Sequence, residues 1–146
     1  FHTDAAISFI IPPINPQAKN LLETTKRSLD MAIKSMRPGI RLGKISHLIQ
    51  TVIEKEGFSV IKELTGHGVG KKLHEDPYVF NYGLPDSGPI LKEGMVLAIE
   101  PMASLGSSKI KDGKDGFSYE TKDGSLSAHF EHTLAITRSG CEVLTK

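Results

Sequence analysis

The chain has 146 residues, 38% of them hydrophobic and 24% charged, with a formal net charge of +1, which is the size and balance of one ordinary globular domain with a core of its own. So even a charge excludes a field that would draw the chain to nucleic acid or to an anionic membrane surface, and no apolar run approaches the roughly 20 residues of a membrane span. A single cysteine, Cys141, excludes an internal disulfide and fits a reducing compartment.

The chain opens on Phe1 rather than Met, without a signal-peptide pattern, and leads almost at once into what reads as a strand over residues 5–11 closed by Pro12-Pro13. Both features suggest a piece of a longer protein. Asn15-Pro16 is a helix start, with Asn as cap and Pro at the first helical position. Leu22, Thr25, Leu29, Ile33 and Met36 then recur at helical steps until Pro38-Gly39. A second helix is expected from about Lys44 to Glu56 on the stripe Ile45, Leu48, Ile49, Val52 and Ile53, with Gly57 as its stop. Strands follow over residues 58–64, 95–100 and 117–122, the last before the turn signal Asp123-Gly124. Two more, over 128–137 and 141–145, flank the hairpin connection Arg138-Ser139-Gly140. The Pro- and Gly-rich stretch 75–94 is expected as a long functional loop, and 106–116 as a solvated one. Cys141 is expected as a small buried apolar residue, not a catalytic thiol. The sum is an α/β (α+β) domain in which helices back a curved, largely antiparallel sheet.

Four residues stand out against that frame. Glu100 closes the apolar run Met95-Val96-Leu97-Ala98-Ile99, and a carboxylate in that place is costly to bury unless something positive meets it. His67 lies in Gly66-His67-Gly68-Val69-Gly70, where absent side chains allow close backbone approach. Glu131 alternates away from Phe130, His132, Leu134 and Ile136 onto the opposite face of its strand, with Thr133 and Ala135. Asp4 precedes the first strand. Singly, such a histidine is more often a hydrogen-bonded core residue, and such carboxylates are more often solvated. Together, three carboxylates and one imidazole form the donor set of Mn, Fe(II), Co or Zn rather than of a thiolate zinc site. Such a set can hold two ions about 3.5–4 Å apart and support hydrolysis of a peptide or a phosphate ester. The glycine-rich stretch lacks the Lys-then-Ser/Thr ending of a nucleotide-binding loop. His74, followed by Glu75-Asp76-Pro77, is either a solvated loop histidine or a neutral imidazole that donates to substrate or to a developing oxyanion.

Three long motifs carry a resemblance. Residues 66–77 (GHGVGKKLHEDP), 93–102 (EGMVLAIEPM) and 125–133 (SLSAHFEHT), in that order, strongly resemble the type I methionine aminopeptidases, and the likeness runs to Gly140-Cys141-Glu142-Val143-Leu144-Thr145. The resemblance implies the pita-bread fold in two pseudo-symmetric halves, with residues 1–146 forming one domain from which most of the first half is absent. It implies metal ligands at Asp4, His67, Glu100 and Glu131; the family's remaining aspartate, and a further histidine near the substrate, would fall before Phe1. It gives Glu100 the handling of the proton and His74 the stabilisation of the substrate carbonyl. Leu73 and Phe117 fall on pocket positions for the methionine side chain that are commonly larger. Thr3 stands where the family usually has glycine.

The implied activity is removal of the initiator methionine from nascent chains by water activated at two divalent ions (Co, Mn, Fe or Zn). One metal position would be largely retained here, and the piece alone would hydrolyse little. A cytoplasmic, monomeric enzyme is expected, with nascent chains as substrate, association with the ribosome, and neither nucleic acid nor membrane as partner. The alternatives are a prolidase-like or aminopeptidase P-like peptidase and a non-catalytic pita-bread binding module. Relatives of the first kind lack the Phe130-Glu131-His132-Thr133 pattern, and those of the second typically lose ligands. Type II methionine aminopeptidases carry a long insertion where only 33 residues separate His67 from Glu100 here.

Overall fold

The computed structural model describes residues 1–145. Two helices come first, α1 (Pro16–Ser35) and α2 (Leu42–Lys55), followed by ten short strands: β1 (Ser59–Val60), β2 (Gly66–Gly68), β3 (Glu75–Val79), β4 (Val96–Ile99), β5 (Met102–Ser104), β6 (Ile110–Asp112), β7 (Tyr119–Thr121), β8 (Ser127–His129), β9 (His132–Ile136) and β10 (Cys141–Val143). The helix starts and stops follow local chemistry. The Asn15 side chain accepts from the Gln17 and Ala18 amides ahead of Pro16, and α2 ends just before Gly57, whose φ is +82°. The buried face of α1 is rotated from the expected stripe. Leu21, Thr25, Ser28, Leu29 and Ala32 are buried, whereas Leu22 and Ile33 only flank the core. Small residues let α1 lie close to its neighbours, and the Thr25 and Ser28 hydroxyls donate to the helix's own carbonyls at Leu21 and Thr25, so their burial leaves no donor unmet.

All strand pairs are antiparallel. Five strands run β10-β9-β4-β2-β3, three run β1-β5-β8, and β6-β7 form a separate ribbon. The first two sheets are one creased surface. Ile99 pairs with His132 and, beyond the crease, Met102 pairs with His129, so Glu100-Pro101 lies opposite Phe130-Glu131 without a change of register. The core gathers Leu21, Ile45, Ile49, Ile53, Leu97, Ile99 and Leu134 between the helices and this surface.

Several expected elements differ. The strand over 128–137 is broken at the crease; Phe130 joins the core and Glu131 turns the other way. The loop 75–94 begins with edge strand β3, tolerated there despite Pro77 because its outer side has no ladder to feed. Residues 106–116 include β6. The strand expected over 5–11 is reduced to a single bridge, Ala6 to Glu131. Cys141 is partly buried at the margin of the core, where its thiol donates to the Ile33 carbonyl and burial raises its pKa.

Candidate metal centre

The centre is built on His67, the middle residue of β2, which is 3% exposed. Its flanking glycines exist for clearance: a Cβ on Gly66 would run into the Ala98 carbonyl, and one on Gly68 into that of Asp76. β2 is thereby wedged between β4 and β3 with the imidazole standing out of the sheet. Nδ1 lies 2.8 Å from the Gly68 carbonyl. A carbonyl can only accept, so Nδ1 carries a proton and Nε2, which in the neutral ring bears the lone pair, faces outward.

That lone pair meets carboxylates. Nε2 lies 3.7 Å from Glu100 Oε1 and 3.8 Å from Asp4 Oδ2. Two groups of potential ligand atoms, His67-Glu100-Glu131 and Asp4-His67-His74, each fall within 4.8 Å of one another. Glu100 and Glu131 face each other because they occupy the crease, where two antiparallel strands bend together. Glu131 is 4% exposed and its Oε1 has no hydrogen-bond partner. Burial first, and then the charges of Glu100 and Asp4, push its carboxyl pKa up to about 8. An outward-facing imidazole lone pair, clustered carboxylates and an orphaned buried carboxyl oxygen are what a divalent cation would satisfy. The residues present fit such an ion.

A cavity of about 420 Å³ adjoins the cluster. Its lining combines Ile61, Leu64, Met102, Ile110 and Tyr119 with polar residues, among them Glu120 and Thr121 and, from beside the cluster, His74, Glu100 and His129. The His74 ring stands edge-on to that of His67, with centroids 4.4 Å apart.

Asp4, His67, Glu100, Glu131 and His74 therefore converge in space. Leu73 and Phe117 do not join them. Leu73 is 40% exposed, and Phe117, at 93%, lies between β6 and β7 where the Asp115 carboxylate holds its amide and that of Ser118. Neither residue lines the cavity in this conformation. Two neighbours lie outside the set that the sequence singles out. His129 Nε2 lies 3.1 Å from Glu100 Oε2, close enough for an ion pair but without hydrogen-bond alignment. The alternation that singled out Glu131 also holds for His129, two residues earlier. Asn81, buried, donates from Nδ2 to the Glu100 carbonyl, and nothing in its local sequence marks it.

Residues 1–138 match the profile of metallopeptidase family M24. The chain belongs to this family. Among its relatives, methionine aminopeptidase 1 of Bacillus subtilis is 49% identical over all 146 residues, and the methionine aminopeptidase of Escherichia coli K12 is 43% identical over 145. The chain spans 59% of the length of the first and 55% of the second. Among solved structures, methionine aminopeptidase from Thermotoga maritima superposes with a TM-score of 0.96 at 49% identity, over 99% of this chain and 58% of that one. Prolidase from Pyrococcus horikoshii reaches 0.77 at 26% identity, over 99% of this chain and 36% of that one. The M24 chain thus has the α/β pita-bread fold, and family membership implies divalent metal.

Proposed function

We propose that this M24 chain carries the catalytic centre of a methionine aminopeptidase, which hydrolyses the first peptide bond of chains beginning with Met. One observation carries the reading: His67, Glu100 and Glu131 meet in one cluster, Asp4 and His74 gather on the same imidazole, and Glu100 and His74 also line the adjoining cavity. The relatives from Bacillus subtilis and Escherichia coli bear that activity in their names.

Asp4, His67, Glu100 and Glu131 would hold one divalent ion, and the intact enzyme would hold two. Mn, Fe(II), Co and Zn all suit one imidazole with several carboxylates. When bound, such ions supply Lewis acidity and bring the pKa of water toward neutrality. Glu100, in the cavity's lining, takes the proton from the attacking water and returns it to the leaving amine. His74 donates a hydrogen bond to the scissile carbonyl oxygen as charge develops there. Ile61, Leu64, Met102, Ile110 and Tyr119 receive the methionine side chain, whose unbranched thioether fills irregular apolar space well. Leu73 and Phe117, which the resemblance implies for this pocket, lie outside the lining of this cavity. A nascent polypeptide as substrate implies a cytoplasmic enzyme that works at or near the ribosome.

Calorimetric titration of the 146-residue chain with Mn²⁺ should give one site, lost in Glu131→Gln; absence of binding, or two tight sites, would contradict the assignment. The chain extended to the length of its relatives should cleave Met-Ala-Ser and spare Ala-Pro. The reverse preference would make it a prolidase.

A further inference from the structure

Asp4 reaches the centre from a segment that has almost no regular structure, and the contacts that hold it there are unusual. Residues 4, 6 and 8 lie antiparallel to 133, 131 and 129. The middle rung is backbone: the Glu131 amide donates to the Ala6 carbonyl at 2.9 Å. The outer rungs are hydroxyls. Thr133 Oγ1 accepts from the Asp4 amide and donates to the Asp4 carbonyl, both at 2.8 Å. Ser8 Oγ accepts from the His129 amide at 3.0 Å and donates to the His129 carbonyl at 2.9 Å. A hydroxyl has one proton to give and lone pairs to receive, so each replaces the reciprocal pair of bonds in an antiparallel ladder.

The reason lies in a handover along β9. The backbone of Thr133 is already taken, because its carbonyl accepts from the Leu144 amide and its own amide donates to Thr145 Oγ1. Only the side chain is left to hold Asp4, and Thr133 is fully buried with its hydroxyl committed. The interposed hydroxyl keeps the Asp4 backbone a side chain's length from β9, and from there Oδ2 comes within 3.8 Å of His67 Nε2.

We propose that Thr133 and Ser8 are positioning residues for the metal centre: their hydroxyls, on opposite strands, fix the register in which Asp4 is presented as a ligand. The inference rests on the reading of Asp4 as a ligand. Without the Thr133 hydroxyl, the amide and carbonyl of Asp4 lose their partners and the carboxylate loses its fixed approach, while the core beneath β9 keeps its packing.

The test uses Co²⁺ alone on the full 146-residue chain, read by calorimetry and by the visible absorption of the bound ion, with thermal unfolding of the metal-free proteins alongside. Thr133→Val keeps the shape and removes the hydroxyl; it should weaken Co²⁺ binding by about tenfold or more and alter the absorption band. Thr133→Ser restores the hydroxyl and should bind within about threefold of the parent. Ser8→Ala should weaken binding less, by about threefold. Parent-like affinity and spectrum in Thr133→Val overturn the proposal, as does a loss in Thr133→Ser equal to that in Thr133→Val, which would make the methyl group the determinant. Should Thr133→Val fail to fold, Ser8→Ala decides, and unchanged affinity there overturns the proposal too. Glu131→Gln separates the two levels. If it binds Co²⁺ as the parent does, the metal centre itself is misassigned and the proposal falls with it; if it loses Co²⁺ while Thr133→Val retains it, only the positioning role falls.

Discussion

Glu131 concentrates the chemistry of this chain in one side chain. It sits in the crease of the sheet with one carboxyl oxygen unpartnered and with Glu100 and Asp4 as charged neighbours. In the metal-free chain its pKa is about 8, against an ordinary 4.5, so the folded state binds this proton more tightly than the unfolded state does. The stability that goes with protonation is complete below about pH 4.5 and is lost as pH rises through about 8. The unfolding temperature of the chain in a chelator should therefore fall across that interval. Glu131→Gln, which stays neutral throughout, should flatten the part of the fall due to this group, so the difference between the two proteins should widen from pH 5 upward. Mn²⁺ should restore the parent at pH 8, since a cation stabilises the ionised carboxylate. Parallel pH profiles for parent and variant would show that Glu131 is ionised without strain in the absence of metal.

At the scale of the element, the centre depends on how closely three strands approach. Gly68→Ala would drive a Cβ into the Asp76 carbonyl, and backbone cannot swing aside as the end of a long side chain can. The expected loss is about 1–3 kcal/mol in chemical denaturation, accompanied by weaker metal binding because His67 moves with β2. Gly140→Ala is the control: its Cβ would meet nothing closer than the Met36 carbonyl at 4.0 Å, and its effect should stay within about 0.5 kcal/mol. Equal effects in the two variants would remove clearance as the reason for Gly68. The sequence made some of this visible. The helices declared themselves through Asn15-Pro16 and the Ile45-Ile49-Ile53 repeat, and Glu100 through a carboxylate closing an apolar run. The crease beside Glu131 stayed hidden, because neither Pro nor Gly interrupts 128–137 and the alternation continues through the bend. β3 was masked by Pro77 and its charged neighbours. The segment 5–11 reads as a strand by composition, yet the partner it would need at Thr133 already serves residues 144 and 145. His129 could have been found by extending the face of Glu131 two residues back, whereas Asn81 acts through a contact that only the tertiary fold creates.

At the scale of the whole molecule, the segment that presents Asp4 also leaves its other side uncovered. Ala6, Ser8 and Ile10 are half-buried against the sheet, while Ile7, Phe9 and Ile11 are 77%, 75% and 76% exposed. An apolar row beside a barely paired backbone is a surface that seeks a partner. Each such side chain contributes roughly 1.5–3 kcal/mol when fully buried. Two copies meeting through this row would bury six, about 9–18 kcal/mol as an upper bound at full burial, which is of the same order as the roughly 4–15 kcal/mol that association costs in lost freedom. The balance is close, so the 146-residue chain should associate weakly and reversibly rather than form a tight dimer. Sedimentation velocity should show a weight-average mass that rises with concentration. Replacing Ile7, Phe9 and Ile11 by Thr should return the chain to a monomer, and Co²⁺ binding should survive because Asp4, Ser8 and Thr133 are untouched. If the substituted chain associates as strongly as the parent, the contact lies elsewhere. If it loses Co²⁺ while staying folded, the apolar row is helping to seat the ligand segment, and the outer face of residues 7–11 would then be part of how the metal centre is built.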